Sequence, residues 1–194
     1  MIFIYLHGFN SAYDPSAEKV QTLSQLGEVK GITYNTFGTY QEIFNEISSQ
    51  VPIATDIVFV GTSLGGFWAA EMGRKFLVPS VIINPCYDPR NMLDKYVGVE
   101  STNYKTGGID MLTNEAVKTY PTSMTGEDTS FNFLPLVLLD MEYEVINSFE
   151  TKKVLAGFPM IHWAGGSHRF DHMSDAIQEI NSYTNHCSYA NRGE

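Results

Sequence analysis

Residues 57–60, Ile-Val-Phe-Val, run into Gly61-Thr62-Ser63-Leu64-Gly65-Gly66 and then into a helical pattern over 67–76. This sequence of parts leaves few folds open. The run is apolar throughout, as expected of a strand covered on both faces, and the glycine-rich turn must reverse the chain sharply enough to lay the helix on the sheet. Glycines on either side of Ser63 keep neighbouring Cβ atoms apart in such a turn. The pattern is Gly-x-Ser-x-Gly in its strand–turn–helix setting. Gly and Ser are common in ordinary loops, so the motif gains its force from the flanking strand and helix. There the turn lifts a serine hydroxyl above the carboxyl ends of the strands. It also points the Leu64 amide at a developing oxyanion, beside a helix N-terminus.

The rest of the chain repeats the alternation. Apolar runs at 2–6, 29–34, 81–83, 134–139 and 160–163 read as strands. Helical patterns lie between them at 40–50, 148–155 and 173–183, with another opening at Asp14-Pro15 and extending to about residue 26. Asp before Pro supplies an N-cap and a pre-set first helical residue. Alternating strands and helices imply right-handed crossovers, hence an α/β fold with a mainly parallel sheet of about six strands and helices on both faces. Residues 88–132 break the pattern: no strand is evident, and only 113–117 suggests a short helix. The stretch is either a lid or pocket-forming excursion or a decorated connection between strands.

Composition bounds the class. At 194 residues the chain fits one domain, 1–194, that buries about 70% of its unfolded surface without disulfide or structural metal. Two cysteines, Cys86 and Cys187, lack any zinc-ligand spacing and suit a reducing cytoplasm. No apolar run reaches the ~18 residues of a membrane span, and no leader pattern precedes residue 2. A net charge of −10 argues against nucleic acid as a partner and disfavours polyanionic substrates, local basic patches aside.

Two further loops carry chemistry. Leu6-His7-Gly8-Phe9-Asn10 follows the first strand, where Gly8 permits close backbone approach and the Phe9 amide supplies a second oxyanion donor. His7 then reads as scaffolding. His168, in Gly165-Gly166-Ser167-His168-Arg169-Phe170, follows the last strand and is placed to act as base toward Ser63. His162, His172 and His186 read as structural or solvated. His168, Asp171 and His172 lack the helical i, i+4 pairing of a metal site, so the reading calls for no metal or cofactor. The acid that orients the imidazole should follow the run 134–139, where Asp140, Glu142 and Glu144 are available. Asp140 is the first choice and Glu144 the second, with Asp88 another possible approach. Phe67, Trp68 and Trp163 are candidates to line an acyl pocket.

With these residues assembled, the chain resembles the α/β-hydrolase superfamily, and within it the small YqiA-like bacterial esterases. The matching segments are Tyr5-Leu6-His7-Gly8-Phe9-Asn10-Ser11, Val60-Gly61-Thr62-Ser63-Leu64-Gly65-Gly66-Phe67, Ile83-Asn84-Pro85 and Gly165-Gly166-Ser167-His168-Arg169-Phe170. The resemblance implies a hydrolase without a large cap domain, acting on short-chain acyl esters or thioesters. It makes Ser63 the nucleophile, His168 the base, and Phe9 and Leu64 the oxyanion donors. One position departs from the pattern. Where the family resembles Gly-Asp-Glu-Val, this chain reads Glu142-Tyr143-Glu144-Val145, with Tyr143 in place of the acid. Either a neighbouring carboxylate serves instead, or the scaffold is a weak or inactive enzyme that binds and regulates. The sequence sets neither the substrate nor the oligomeric state.

Overall fold

The apolar runs form the strands of one parallel sheet in the computed structural model, which describes residues 1–54, 56–124, 131–141 and 145–191. In chain order its strands are β1 (Ile2–Leu6), β2 (Glu28–Ile32), β3 (Ile57–Thr62), β4 (Ser80–Ile83), β7 (Leu136–Asp140) and β8 (Met160–Trp163). Spatially they lie β2-β1-β3-β4-β7-β8, each pair parallel. The remaining strands, β5 (Glu100–Thr102) and β6 (Ile109–Met111), make a separate antiparallel pair.

Side chains alternate across the sheet and divide the core in two. Ile4, Leu6, Phe59, Val137 and Leu139 point to one face. There they meet Ile43 and Ile47 of α2 (Tyr40–Gln50) and Phe67 and Trp68 of α3 (Leu64–Phe76). Phe3, Tyr5, Val58, Val60, Leu136 and Leu138 point to the other. They pack on Val20 and Leu23 of α1 (Glu18–Leu23) and on Met173, Ala176 and Ile180 of α7 (Met173–Asn191). A one-residue register slip would exchange these sets, so the pairing is strongly specified. Among the described residues no helix is long and apolar enough to cross a membrane.

Three elements differ from the sequence reading. The helix expected from Asp14 begins at Glu18, because Asp14 Oδ1 accepts from the Ser16 amide at 2.8 Å and the Ser16 hydroxyl at 2.7 Å and closes a local turn instead. The last helix runs on to Asn191. Within 88–132 the structure forms α4 (Pro89–Asp94), the β5–β6 pair and α5 (Asn114–Lys118), where the sequence suggested only 113–117. Asp88 caps α4 by accepting from the Asn91 amide at 3.1 Å, and Thr113 caps α5. The helix α6 (Ser148–Val154) follows β7. Both cysteines are free and buried.

Candidate active site

Strand order reverses at β1, which pairs with β2 on one side and β3 on the other. Parallel α/β sheets bind ligands outside the carboxyl ends of the strands at such a switch point. A cavity of about 450 Å³ lies there, lined by Gly8 and Phe9 after β1, Thr62 at the end of β3 and Ser63 after it, and His168 and Arg169 after β8.

Ser63 occupies the turn between β3 and α3 with φ 58° and ψ −123°, a conformation that L side chains rarely adopt. Its carbonyl accepts from the Gly66 amide at 2.9 Å and the Cys86 amide at 2.9 Å, and its amide donates to Ile83 at 3.0 Å, which fixes the turn. The flanking glycines are required by contact. A Cβ on Gly61 would lie 1.9 Å from the Gly65 oxygen, and one on Gly65 would lie 2.1 Å from the Leu6 oxygen. Leu64 is the first residue of α3, so its amide has no acceptor within the helix. A Cβ on Gly8 would approach Ser63 Cβ to 3.5 Å, so the β1 turn passes directly beside the serine.

His7 serves as the expected scaffold. Its Nδ1–H donates to the Gly8 carbonyl at 2.9 Å, its Nε2 accepts from the Tyr34 amide at 3.2 Å, and its ring stacks on Tyr34 at 4.3 Å. Burial pushes its pKa down to about 4, so the imidazole holds the Gly8–Phe9 turn in its neutral form.

The histidine loop is fastened from below. Asn84, fully buried after β4 with φ 41°, donates from Nδ2 to the carbonyls of Ser167 at 3.0 Å and His168 at 3.3 Å. Its Oδ1 accepts from the Asp140 amide at 2.9 Å. Asp140, also fully buried, accepts through Oδ2 from the amides of Ser167 at 3.2 Å and Asp171 at 2.7 Å. A Cβ on Gly166 would sit 2.0 Å from that oxygen, so only glycine lets the loop lie on the carboxylate. Burial, with a smaller contribution from the Lys19 charge, pushes His168 down to about 4, which leaves it unprotonated at neutral pH.

The structure thus brings Ser63, His168 and Phe9 to one cavity and sets Asp140 behind the histidine loop. The imidazole that meets Asp140 is that of His172, whose Nδ1–H donates to Oδ1 at 2.7 Å and whose ring stacks on Trp163. The sequence read His172 as structural or solvated and missed this bond. Glu142, Tyr143 and Glu144 lie outside the described residues. Asp88 is turned to its helix cap. Phe67 and Trp68 are fully buried in the core and Trp163 packs on His172 and Phe170, so none of the three lines this cavity. The larger apolar side chains of the lining are Tyr5, Phe9, Val20, Met92, Tyr96 and Val145. Asn84 and Lys19 were also missed as site residues, although Asn84 lies in Ile83-Asn84-Pro85, one of the segments that carry the resemblance.

Comparison with solved structures places the architecture. Est1E from Butyrivibrio proteoclasticus matches 97% of this chain and 88% of that one with a TM-score of 0.73 at 14% identity. A putative hydrolase of the alpha/beta superfamily from Xanthomonas campestris matches 95% of this chain and 96% of that one at TM-score 0.60, also at 14% identity. At such identities the likeness is one of fold, and the fold is that of the α/β-hydrolase superfamily, with no large cap among the described residues. The sequence narrows this further: the chain belongs to UPF0227, described as an uncharacterised protein family, whose model matches residues 2–185. YcfP of Escherichia coli O9:H4, a UPF0227 protein, is 29% identical over 190 residues, 94% of this chain and 98% of that one. A UPF0227 protein of Shewanella woodyi is 34% identical over 101 residues, which cover 48% of this chain and 56% of that one.

Proposed function

We propose that the protein is a serine hydrolase that cleaves short-chain carboxylic esters or thioesters through an acyl-enzyme. The observation that carries this reading is Ser63, held at positive φ at the sheet's switch point and facing the same cavity as His168. That solved structures of like fold are called esterases and hydrolases agrees with it.

Ser63 Oγ attacks the acyl carbon while His168 takes its proton. The Phe9 and Leu64 amides donate to the oxyanion of the tetrahedral intermediate. Collapse breaks the bond to the alkoxide or thiolate, which leaves with the proton returned by His168. Water, deprotonated by the same imidazole, then attacks the acyl carbon and frees the acid and Ser63. The neutral form of His168 is the one this cycle needs. Asp140 supports the loop that carries His168, and Glu144 is the second candidate for the acid beside it.

A second reading is favoured by one observation: Tyr143 stands at the acid position of the family pattern. That departure suits a catalytically weak or inactive scaffold that binds and regulates. Hydrolysis of 4-nitrophenyl acetate and butyrate separates the two. The esterase reading expects wild-type rates at least about 10³-fold above those of Ser63→Ala, well within the ~10⁶-fold that loss of the nucleophile costs a serine protease. Equal rates would reject it.

A further inference from the structure

The cavity beside Ser63 holds positive charge that the acyl-transfer steps do not use. Lys19 of α1 sets its Nζ 3.4 Å from the hydroxyl of Thr62, the residue before Ser63. The same Nζ lies 2.5 Å from the carbonyl of Arg169, the residue after His168. Thr62 is joined in turn to the buried Tyr5 hydroxyl at 3.0 Å. Both partners of the ammonium are neutral oxygens. Among the described residues no carboxylate lies within ion-pair distance of Lys19 or of Arg169. Asp14 is the one acidic residue in the described lining; it is exposed, and its bonds from Ser16 hold it in its charged form.

Burial, followed by the charge of Arg169, pushes the Lys19 ammonium down to about 8, against the smaller opposing charges of Asp171 and Asp140. An ammonium drawn out of water beside another cation, with no carboxylate in ion-pair contact among the described residues, is an expensive arrangement. A ligand that brings negative charge into the cavity removes that cost. Net charge does not decide this, since in the described lining Lys19 and Arg169 outnumber the exposed Asp14 and set the local potential even in a chain of −10.

We infer that Lys19, with Arg169 at the rim, forms an anion subsite beside Ser63, and that the ester this site takes carries a negatively charged group, such as a free carboxylate, away from the scissile bond. The inference names the substrate class and rests on the esterase reading. It also revises the expectation from the acid excess, which disfavoured anionic substrates.

Two matched ester pairs test it. Mono-4-nitrophenyl adipate against 4-nitrophenyl hexanoate places the charge on the acyl side, and 4-acetoxybenzoate against 4-acetoxybenzamide places it on the leaving group. Spontaneous hydrolysis is subtracted with Ser63→Ala. In at least one pair the anionic ester should have the higher kcat/KM by about tenfold, the scale of one charge-assisted hydrogen bond. That ratio should fall to near one in Lys19→Met and be largely kept in Lys19→Arg. Lys19 acting only as a tether between Thr62 and Arg169 would slow both members of a pair alike and leave the ratio unmoved. Ratios near one for both pairs in the wild type, or a ratio that survives Lys19→Met, would overturn the subsite. If the wild type turns over no ester faster than Ser63→Ala, the esterase reading fails, and calorimetric titration with adipate against hexanamide decides the subsite alone. Adipate binding that weakens about tenfold in Lys19→Met upholds it, and binding that is absent or unchanged rejects it.

Discussion

Asp140 and His172 meet at 2.7 Å through Oδ1 and Nδ1, and neither lines the cavity that holds Ser63. The other oxygen of that carboxylate holds the Ser167 and Asp171 amides, on either side of His168. One buried carboxylate therefore fixes both the loop and the start of the last helix. Charge-assisted bonds of this kind contribute about 1.5–3 kcal/mol each when buried. Asp140→Ala, which leaves two amides without their acceptor, should destabilise the fold by about 3 kcal/mol or more. His172→Phe, which keeps a ring over Trp163, should lose about 1–2 kcal/mol. Urea denaturation measures both, and equal losses would contradict the arrangement.

The same carboxylate bears on activity. Asp140→Asn places an amide group where a backbone N–H needs an acceptor, so kcat should fall by about 10² or more, with Glu144→Gln as the comparison. Steady-state kinetics on a neutral ester reads the effect. Should both variants retain wild-type kcat, neither residue is the acid.

The elbow makes a steric prediction. In Gly65→Ala the new Cβ meets the Leu6 carbonyl oxygen at 2.1 Å, so the backbone must shift and the loss should exceed about 4 kcal/mol, to the point of preventing folding. Gly98→Ala is the control. Gly98 also has positive φ, 76°, but nothing lies within 4 Å of its Cβ position, so strain alone should cost about 1 kcal/mol. Soluble yield and urea midpoints compare the two.

Stability should depend on pH through His7. Its folded pKa of about 4 lies below the ordinary 6.5, so between these values the unfolded chain binds the proton and the folded chain does not. The contribution, about 3 kcal/mol, is present in full above pH 6.5 and is lost as pH falls toward 4. His168, shifted the same way, places the acid limb of kcat/KM near pH 4–5 instead of near 6.5. Denaturation across pH 4–7 should show the acid-side loss flattened in His7→Gln relative to the loss in the wild type. The activity limb should move up in Lys19→Met, slightly, because Lys19's charge is the smaller of the two causes.

Much of this was legible because the period of the side chains carries it. Six runs rich in Val, Ile and aromatics, several of them apolar throughout, alternate with helical patterns as a mainly parallel sheet requires, and the structure forms a strand from each. Motifs with steric cause were legible too: Gly61 and Gly65 flank Ser63 because nothing larger fits. The β5–β6 pair was not. Its strands have three residues each, and Glu100, Thr102, Ile109 and Met111 are exposed, so no run of buried side chains marks them. Local capping also misled, since Asp14 bonds to Ser16 two residues on instead of starting a helix. Phe67 and Trp68 follow the elbow in sequence, yet the helix turns them into the core against Tyr40 and Tyr120. The contacts that define the site's support join distant positions: Lys19 to Arg169, Asn84 to Ser167, Asp140 to His172. No local pattern encodes these, because each depends on which strand ends the topology sets side by side.

The central claim is that Ser63 is a nucleophile activated by His168. Incubation with a fluorophosphonate, followed by intact mass and peptide mapping, tests it most directly. The account predicts one adduct, on Ser63, formed rapidly in the wild type, at least about 10²-fold more slowly in His168→Ala, and absent in Ser63→Ala. No adduct under conditions that label a control serine hydrolase, or an adduct that forms equally fast in His168→Ala, would contradict it.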